Sequence, residues 1–150
     1  MTDRDLHGIL AVDPGKMTGW ARLTNGEFDS GECSMEEFLT WIKTTIIEIG
    51  LRPHIVCEDF IYTVQTSKKS RQTWSTESIG VLRFVAREYG CGFTLQSPSD
   101  AKSFASNTKL KGLGWWNIGK GHANDAARHL LVYSIKNRII DPKILLQSDS

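Results

Sequence analysis

The spacing of apolar residues predicts a buried strand and a hairpin at the start of the chain. The short apolar run GILAVD, residues 8–13, stops at Pro14-Gly15, which is typical of a buried strand followed by a turn. The next segment, TGWARLTNGEFDSGE, carries two alternating stretches around Asn25-Gly26, a strong hairpin signal. We therefore expect three antiparallel strands at the start of the sheet.

The middle of the chain alternates between helical and strand patterns. The segment SMEEFLTWIKTTIIEIG has a capping residue in Ser34, a capping-box acid in Glu37 and apolar residues at helical spacing until Gly50. Residues 54–60 (HIVCEDF) predict a fourth strand, and the apolar positions of residues 75–89 predict a helix behind it.

The last third adds one strand and two helices. GFTLQSP predicts a fifth strand, and PSDAKSFA begins a short helix at Pro98. Residues 105–121 hold four glycines among lysines and predict a mobile loop. A final helix is expected over about 122–138, and Asp141-Pro142 ends the domain before a polar tail. This order of elements predicts an α/β fold, a mixed sheet with helices on its faces.

Length and composition narrow the class of protein. A chain of 150 residues supports one sizeable core, so we expect residues 1–150 to form a single domain. The polar start and the absence of a long apolar run argue against a secretory signal or a membrane helix and favour a cytoplasmic protein. Cys33, Cys57 and Cys91 are scattered, which indicates reduced thiols rather than disulfides or a zinc site.

Charge is segregated along the chain although the net charge is only +1. Residues 101–140 contain basic residues and a single acid, Asp125, whereas acids crowd residues 27–37. This segregation suits a surface that faces a polyanion, and an ordinary solvated face is the alternative interpretation.

Three carboxylates fall where strands and helices meet loops. Asp13 ends the first strand, Glu58 lies at the end of the fourth, and Asp125 belongs to the first turn of the final helix. Clustered carboxylates repel one another unless a proton or a cation lies between them, and oxygen ligands suit Mg²⁺. His122 lies three residues before Asp125 on the same helix face, as a nitrogen ligand or an acid/base.

Each of these residues also has a purely structural explanation. Asp13 suits a turn, and Glu58 suits the exposed end of a strand. Asp125 suits the positive end of a helix dipole, and His122 suits a cap. His129, one turn after Asp125, is interpreted as structural rather than catalytic.

The combination of motifs is more specific than any one residue. VDPGKMTGWA, IVCEDF and GHANDAARHLL resemble the RuvC-type Holliday junction resolvases of the RNase H-like superfamily, in particular small phage-like members. The resemblance covers nearly the whole chain in the same order of elements. It implies an RNase H-like fold whose five-stranded mixed sheet has three antiparallel strands plus two parallel ones.

The resemblance also implies a function and its residues. The matching positions are Asp13, Glu58, His122 and Asp125, which would be catalytic and would hold two Mg²⁺, or Mn²⁺, for phosphodiester hydrolysis that leaves 5′-phosphate ends. The substrate would be branched DNA, a Holliday junction or a related flap or fork, cut by a homodimer. The helix at 75–89 is the candidate dimer interface, through Trp74, Ile79, Leu82 and Phe84.

Basic residues near these motifs are the candidates for binding the DNA backbone. SPSDAKSF resembles a phosphate-contacting segment of the same family. The candidates are Lys68, Lys69, Arg71, Lys102, Lys109, Lys111 and Lys120.

Three other functions remain open from the sequence. A non-catalytic nucleic-acid-binding module would use the same basic face, but it would not need four separated ligand residues. A nucleotide-phosphate loop of the kind found in sugar kinases and actin-like ATPases would need a second domain, for which 150 residues leave no room. A nuclease that processes ribosomal RNA would share the fold and the cluster.

Overall fold

A computed structural model describes residues 7–60 and 72–148. Its five strands are β1 (Ile9–Asp13), β2 (Met17–Thr24), β3 (Glu27–Ser34), β4 (His54–Glu58) and β5 (Phe93–Gln96). They form one sheet in the order β3-β2-β1-β4-β5. Strands β1, β2 and β3 pair antiparallel, whereas β4 pairs parallel with β1 and with β5. The mixed sheet predicted from the sequence is therefore confirmed.

Helices cover both faces of this sheet. The capping box predicted at the first helix is present, because the Ser34 hydroxyl accepts a hydrogen bond from the Glu37 amide at 3.2 Å. That helix begins in the α form and continues as a π-helix. The helices are α1 (Met35–Ile42, followed by the π-helix Lys43–Glu48), α2 (Gln72–Tyr89), α3 (Pro98–Phe104), α4 (Asn107–Leu113), α5 (Gly121–Lys136) and α6 (Lys143–Ser148).

The pleat of β1 divides the core into two layers. Ile9 and Ala11 pack with apolar residues of α5, whereas Leu10 and Val12 pack with α1 and α2. Side chains alternate between the faces of a strand, so the next odd position, Asp13, belongs to the α5 face. Since every residue of β1 is buried, Asp13 ends a strand with no solvent face.

The prediction of a mobile loop over residues 105–121 is wrong. Residues 107–113 form α4, because the Ser106 hydroxyl caps its first turn by accepting from the Lys109 amide at 3.2 Å, and Gly114 ends it in the left-handed conformation. Leu110 and Trp115 are buried, and the Trp115 ring stacks on Phe28. The many glycines and lysines of this segment led to the prediction of a loop, although Leu110 and Trp115 pack in the core.

Two smaller predictions also need correction. The polar tail contains α6, which packs Leu145 into the core. In α2, Leu82 is fully buried against the sheet, so it cannot form part of a dimer interface. Its neighbours Val81 and Phe84 are the apolar side chains that α2 exposes.

Two further expectations concern the redox state and the membrane. All three cysteines are free, as predicted. In residues 7–60 and 72–148, no helix combines the length and the hydropathy needed to cross a membrane.

Candidate active site

Asp13 and Glu58 lie side by side at the ends of β1 and β4. The two parallel strands pair in register from Ile9 opposite His54 to Val12 opposite Cys57, so their carboxyl ends meet at one edge of the sheet. Val56 packs on the α5 face, and the alternation of side chains places Glu58 on that face too. The side chains of Asp13 and Glu58 are 10% and 20% exposed.

Helix α5 approaches this edge closely because β2 carries a glycine there. A Cβ added to Gly19 would overlap the backbone carbonyl of His122 and lie 2.9 Å from the Ala123 nitrogen. With no side chain in the way, His122 brings its Nδ1 to 3.1 Å from Asp13 Oδ2. The carboxylate of Glu32 accepts a hydrogen bond from the His122 amide at 3.1 Å and so caps the first turn of α5.

Burial and the contact between Asp13 and Glu58 together set their protonation. Burial, a hydrogen bond to Glu58 and the charges of Glu58 and Asp125 together raise the pKa of Asp13 to about 9. Burial also opposes the charge on Glu58, but hydrogen bonds from His129 and Asp13 outweigh it and hold the pKa of Glu58 below its usual value. The pair therefore holds one proton, with Asp13 as its donor.

Asp125 and Lys102 act on the same pair with opposite charges. Asp125 is half-buried on α5 and raises the pKa of Asp13 through its charge, whereas Lys102 lowers the pKa of both Asp13 and Glu58. Asp125 is itself held by Arg128, whose Nε donates to Asp125 Oδ1 at 3.3 Å. Of the four residues that the sequence analysis grouped as a site, Glu58, His122 and Asp125 thus each act on Asp13 by contact or by charge, and the charge of Lys102 reaches Asp13 and Glu58.

His129 and Gln96 are two residues of this site that sequence reasoning did not assign to it. The fully buried His129 ring places its Nε2 3.0 Å from Glu58 Oε1, and its Nδ1 lies 3.1 Å from the Gln96 side-chain nitrogen. His129 follows Asp125 by four residues, so the helical period already placed it on the same face. For Gln96 the sequence held no signal, because its proximity depends on strand pairing.

The other predicted DNA-binding residues differ in their surroundings. Lys109 donates to the Phe104 carbonyl at 2.8 Å, and Lys111 lies over the Trp116 ring. Lys120 is exposed immediately before α5. Three of the predicted contacts lie outside the described residues, namely Lys68, Lys69 and Arg71.

The loop after β1 is held by its own hydrogen bonds. Thr18 is fully buried and donates from Oγ1 to the Gly15 carbonyl at 2.9 Å, and Ser75 at the start of α2 donates to the Pro14 carbonyl at 2.9 Å. The Thr18 hydroxyl is therefore not directed at a ligand. This arrangement does not favour a nucleotide-phosphate loop.

The donor chemistry of the cluster fits a hard divalent cation. Asp13 and Glu58 share a proton where two charges would repel each other, and a cation can replace that proton and accept both carboxylates. Over the described residues, no three His, Cys, Asp or Glu side chains already converge on one point for an ion. The carboxylates therefore have to separate from their mutual hydrogen bond before they can share a cation.

Comparison with known proteins gives a match in structure. No protein-family model matches the sequence, and neither does any curated protein. A solved structure of Thermus thermophilus RuvC superposes with a TM-score of 0.58 at 17% identity, over 88% of this chain and 96% of RuvC. A structure of T. thermophilus RuvC in complex with Holliday junction substrate gives a TM-score of 0.59 at 16% identity, over 88% and 95% of the two chains. The protein thus has the RNase H-like fold of RuvC.

Proposed function

We propose that the protein is a metal-dependent endonuclease that cleaves branched DNA, with Holliday junctions as the foremost substrate. The observation that carries this proposal is the contact of Asp13 with both Glu58 and His122 at one edge of a RuvC-like sheet. The structurally similar RuvC was determined in complex with Holliday junction substrate, and this complex supports the choice of substrate.

Two Mg²⁺ ions, or Mn²⁺ in their place, would be held by Asp13, Glu58, His122 and Asp125. Bound there, such ions would lower the pKa of a water nucleophile and stabilise the departing 3′ oxygen, which leaves a 5′ phosphate. Glu58 is already held as a carboxylate by its two hydrogen bonds, and Asp13 becomes one when it loses its proton. His122 is half exposed, so its ring can turn away from Asp13, either to bind an ion or to act as an acid or base.

The basic residues near the cluster would bind the phosphodiester backbone. Lys102 is exposed and its charge reaches both Asp13 and Glu58, so a phosphate at the cluster would lie within its field. Lys120 and Lys111 are exposed near the start of α5 and on α4. Contacts of this kind position DNA without reading its sequence, and they weaken steeply as salt increases.

A homodimer would match the two strands that a junction resolvase has to cut. The candidate interface is α2, through its exposed residues Val81 and Phe84. Each copy would contribute residues 1–150 as one domain and one complete set of Asp13, Glu58, His122 and Asp125.

A panel of labelled substrates tests this function. Four-way junction, flap, fork, linear duplex and structured RNA are incubated with the protein in Mg²⁺, Mn²⁺ or EDTA, and the products are resolved by size and tested for ligation. We expect ligatable 5′-phosphate nicks in branched DNA, dependent on the metal. Asp29→Asn serves as a matched control because Asp29 is an exposed carboxylate on β3 that contacts Arg22 and the backbone amide of Ser30. Cleavage of RNA in preference to DNA would instead support the RNA-processing alternative.

A further inference from the structure

A hydrogen-bonded chain of three residues leads from the sheet edge into the proposed site. Gln96 ends β5 and pairs across the sheet with Glu58 at the end of β4. His129 belongs to α5, and its ring lies between the side chains of Gln96 and Glu58, with one ring nitrogen facing each of them. The His129 side chain is 0% exposed, so these two neighbours take the place of water.

The hydrogen-bond pattern fixes which nitrogen of His129 carries the proton. The Gln96 side-chain nitrogen lies 3.0 Å from the His129 backbone carbonyl, which can only accept, so the NH₂ group of Gln96 must face His129. The same NH₂ group lies 3.1 Å from Nδ1. Because NH₂ can only donate, Nδ1 is an acceptor without a proton. The proton of the neutral ring is then on Nε2, 3.0 Å from Glu58 Oε1.

We propose that His129 is a positioning residue, whose Nε2–H, fixed in that tautomer by Gln96, aims the Glu58 carboxylate for divalent cation binding. This inference rests on the proposed function of Glu58 as a metal ligand. One oxygen of Glu58 is engaged by His129, and the hydrogen bond from Asp13 is the contact that a cation would replace. Residues behind metal ligands that orient them in this way typically change metal affinity or activity by roughly 10- to 100-fold when they are replaced.

A purely structural role would give a different pattern of dependence. If His129 only filled space, an apolar residue of similar volume would preserve the site. If it acts as a donor, the apolar residue should fail and a residue with an N–H at the same place should succeed. His129→Leu keeps apolar packing and removes the donor, whereas His129→Gln supplies an amide NH₂ that can reach Glu58.

The tautomer can be measured without any metal or substrate. Long-range ¹H–¹⁵N correlation spectra distinguish a protonated from an unprotonated imidazole nitrogen. We expect His129 in the metal-free protein to show a protonated Nε2 and an unprotonated Nδ1, and Gln96→Leu to abolish this single tautomer. A protonated Nδ1 in the unsubstituted protein would overturn the inference whatever the protein cleaves.

The positioning role is tested by measuring how tightly the DNA-free protein binds Mn²⁺. The electron paramagnetic resonance signal of the free ion reports how much Mn²⁺ remains unbound. We expect His129→Leu to weaken Mn²⁺ binding roughly 10- to 100-fold and His129→Gln to stay within a few-fold of the unsubstituted protein. Circular dichroism and thermal unfolding confirm that each variant is folded. Equal Mn²⁺ affinity in folded His129→Leu would overturn the positioning role and leave the nuclease proposal intact. Failure of the unsubstituted protein to bind Mn²⁺ would overturn the metal site itself.

Discussion

The backbone carbonyl of His122 occupies the space that a side chain at Gly19 would need. This close approach of α5 to β2 lets His122 reach Asp13, with 3.1 Å between Nδ1 and Oδ2. Gly19, which belongs to the VDPGKMTGWA motif, therefore acts on the site through helix packing, and not through contact with a ligand.

Replacing Gly19 by alanine should displace the start of α5. The new Cβ meets backbone atoms of His122 and Ala123, which cannot move without the helix. We expect Gly19→Ala to lower the free energy of unfolding by about 1–3 kcal/mol and to reduce cleavage strongly. Urea unfolding and junction cleavage measure the two effects.

Gly80→Ala is the matched control for this substitution. Gly80 lies within α2, and an added Cβ has nothing within 4 Å. Alanine is the better helix former, so we expect a gain of about 0.5–1 kcal/mol and unchanged cleavage. Unfolding and cleavage that changed equally in both alanine variants would contradict the role assigned to Gly19.

Glu32 should support the site through the cap on α5. Its carboxylate accepts a hydrogen bond from the His122 amide at 3.1 Å. Loss of a capping acceptor typically costs about 0.5–2 kcal/mol, so Glu32→Ala should destabilise the protein by that order and slow cleavage. Glu32→Gln keeps an acceptor oxygen and should retain more of both. A Glu32→Ala variant with unchanged cleavage and unchanged amide exchange at His122 would show that the cap has no effect on the site.

The stability of the metal-free protein should depend on pH through Asp13. Its pKa is about 9 in the folded protein against an ordinary value of 3.8, so between pH 5 and pH 8 the folded state keeps a proton that the unfolded state has released. The free energy of unfolding contributed by Asp13 therefore falls as pH rises through this window. Asp13→Asn removes this dependence.

The expected measurement is urea unfolding in EDTA at several pH values. The difference in free energy of unfolding, Asp13→Asn minus unsubstituted protein, should increase steadily from pH 5 to pH 8. A difference that stays constant over this range would mean that Asp13 is already charged in the folded state.

Lys102 should contribute to DNA binding more than to folding. Its side chain is exposed, and its charge reaches the two carboxylates where a phosphate would bind. We expect Lys102→Gln to weaken junction binding and to reduce the slope of log K against log salt by about 1, the value for one phosphate contact. Lys43→Gln, a change at an exposed lysine on the π-helix, is the control. Equal salt slopes for the two variants would remove Lys102 from the DNA interface.

Local patterns predicted the sheet and most of the helices because each rule acted over a few residues. The Asn25-Gly26 turn, the Ser34 cap and the apolar run of β1 each form locally, and the structure contains all three. Helix α4 was missed because its apolar anchors, Leu110 and Trp115, are spread among glycines and lysines.

The candidate site shows the same division between local and distant information. Strand ends and helical spacing brought Asp13, Glu58, His122 and Asp125 together as a hypothesis, and the structure places them near one another. Gln96 and Glu32 act through strand pairing and helix packing. A single sequence does not record those distant contacts.

The central claim is tested most directly with the variant Asp13→Asn. Its Mg²⁺-dependent nicking of a four-way junction and its binding of the same junction are measured side by side. Asparagine keeps the size of the side chain but cannot supply the charge that a cation requires. We predict that this variant is folded, binds the junction as tightly as the unsubstituted protein, and loses cleavage by a factor of about 100 or more. Cleavage that survives the substitution at an unchanged rate would contradict the assignment of this cluster as a nuclease site.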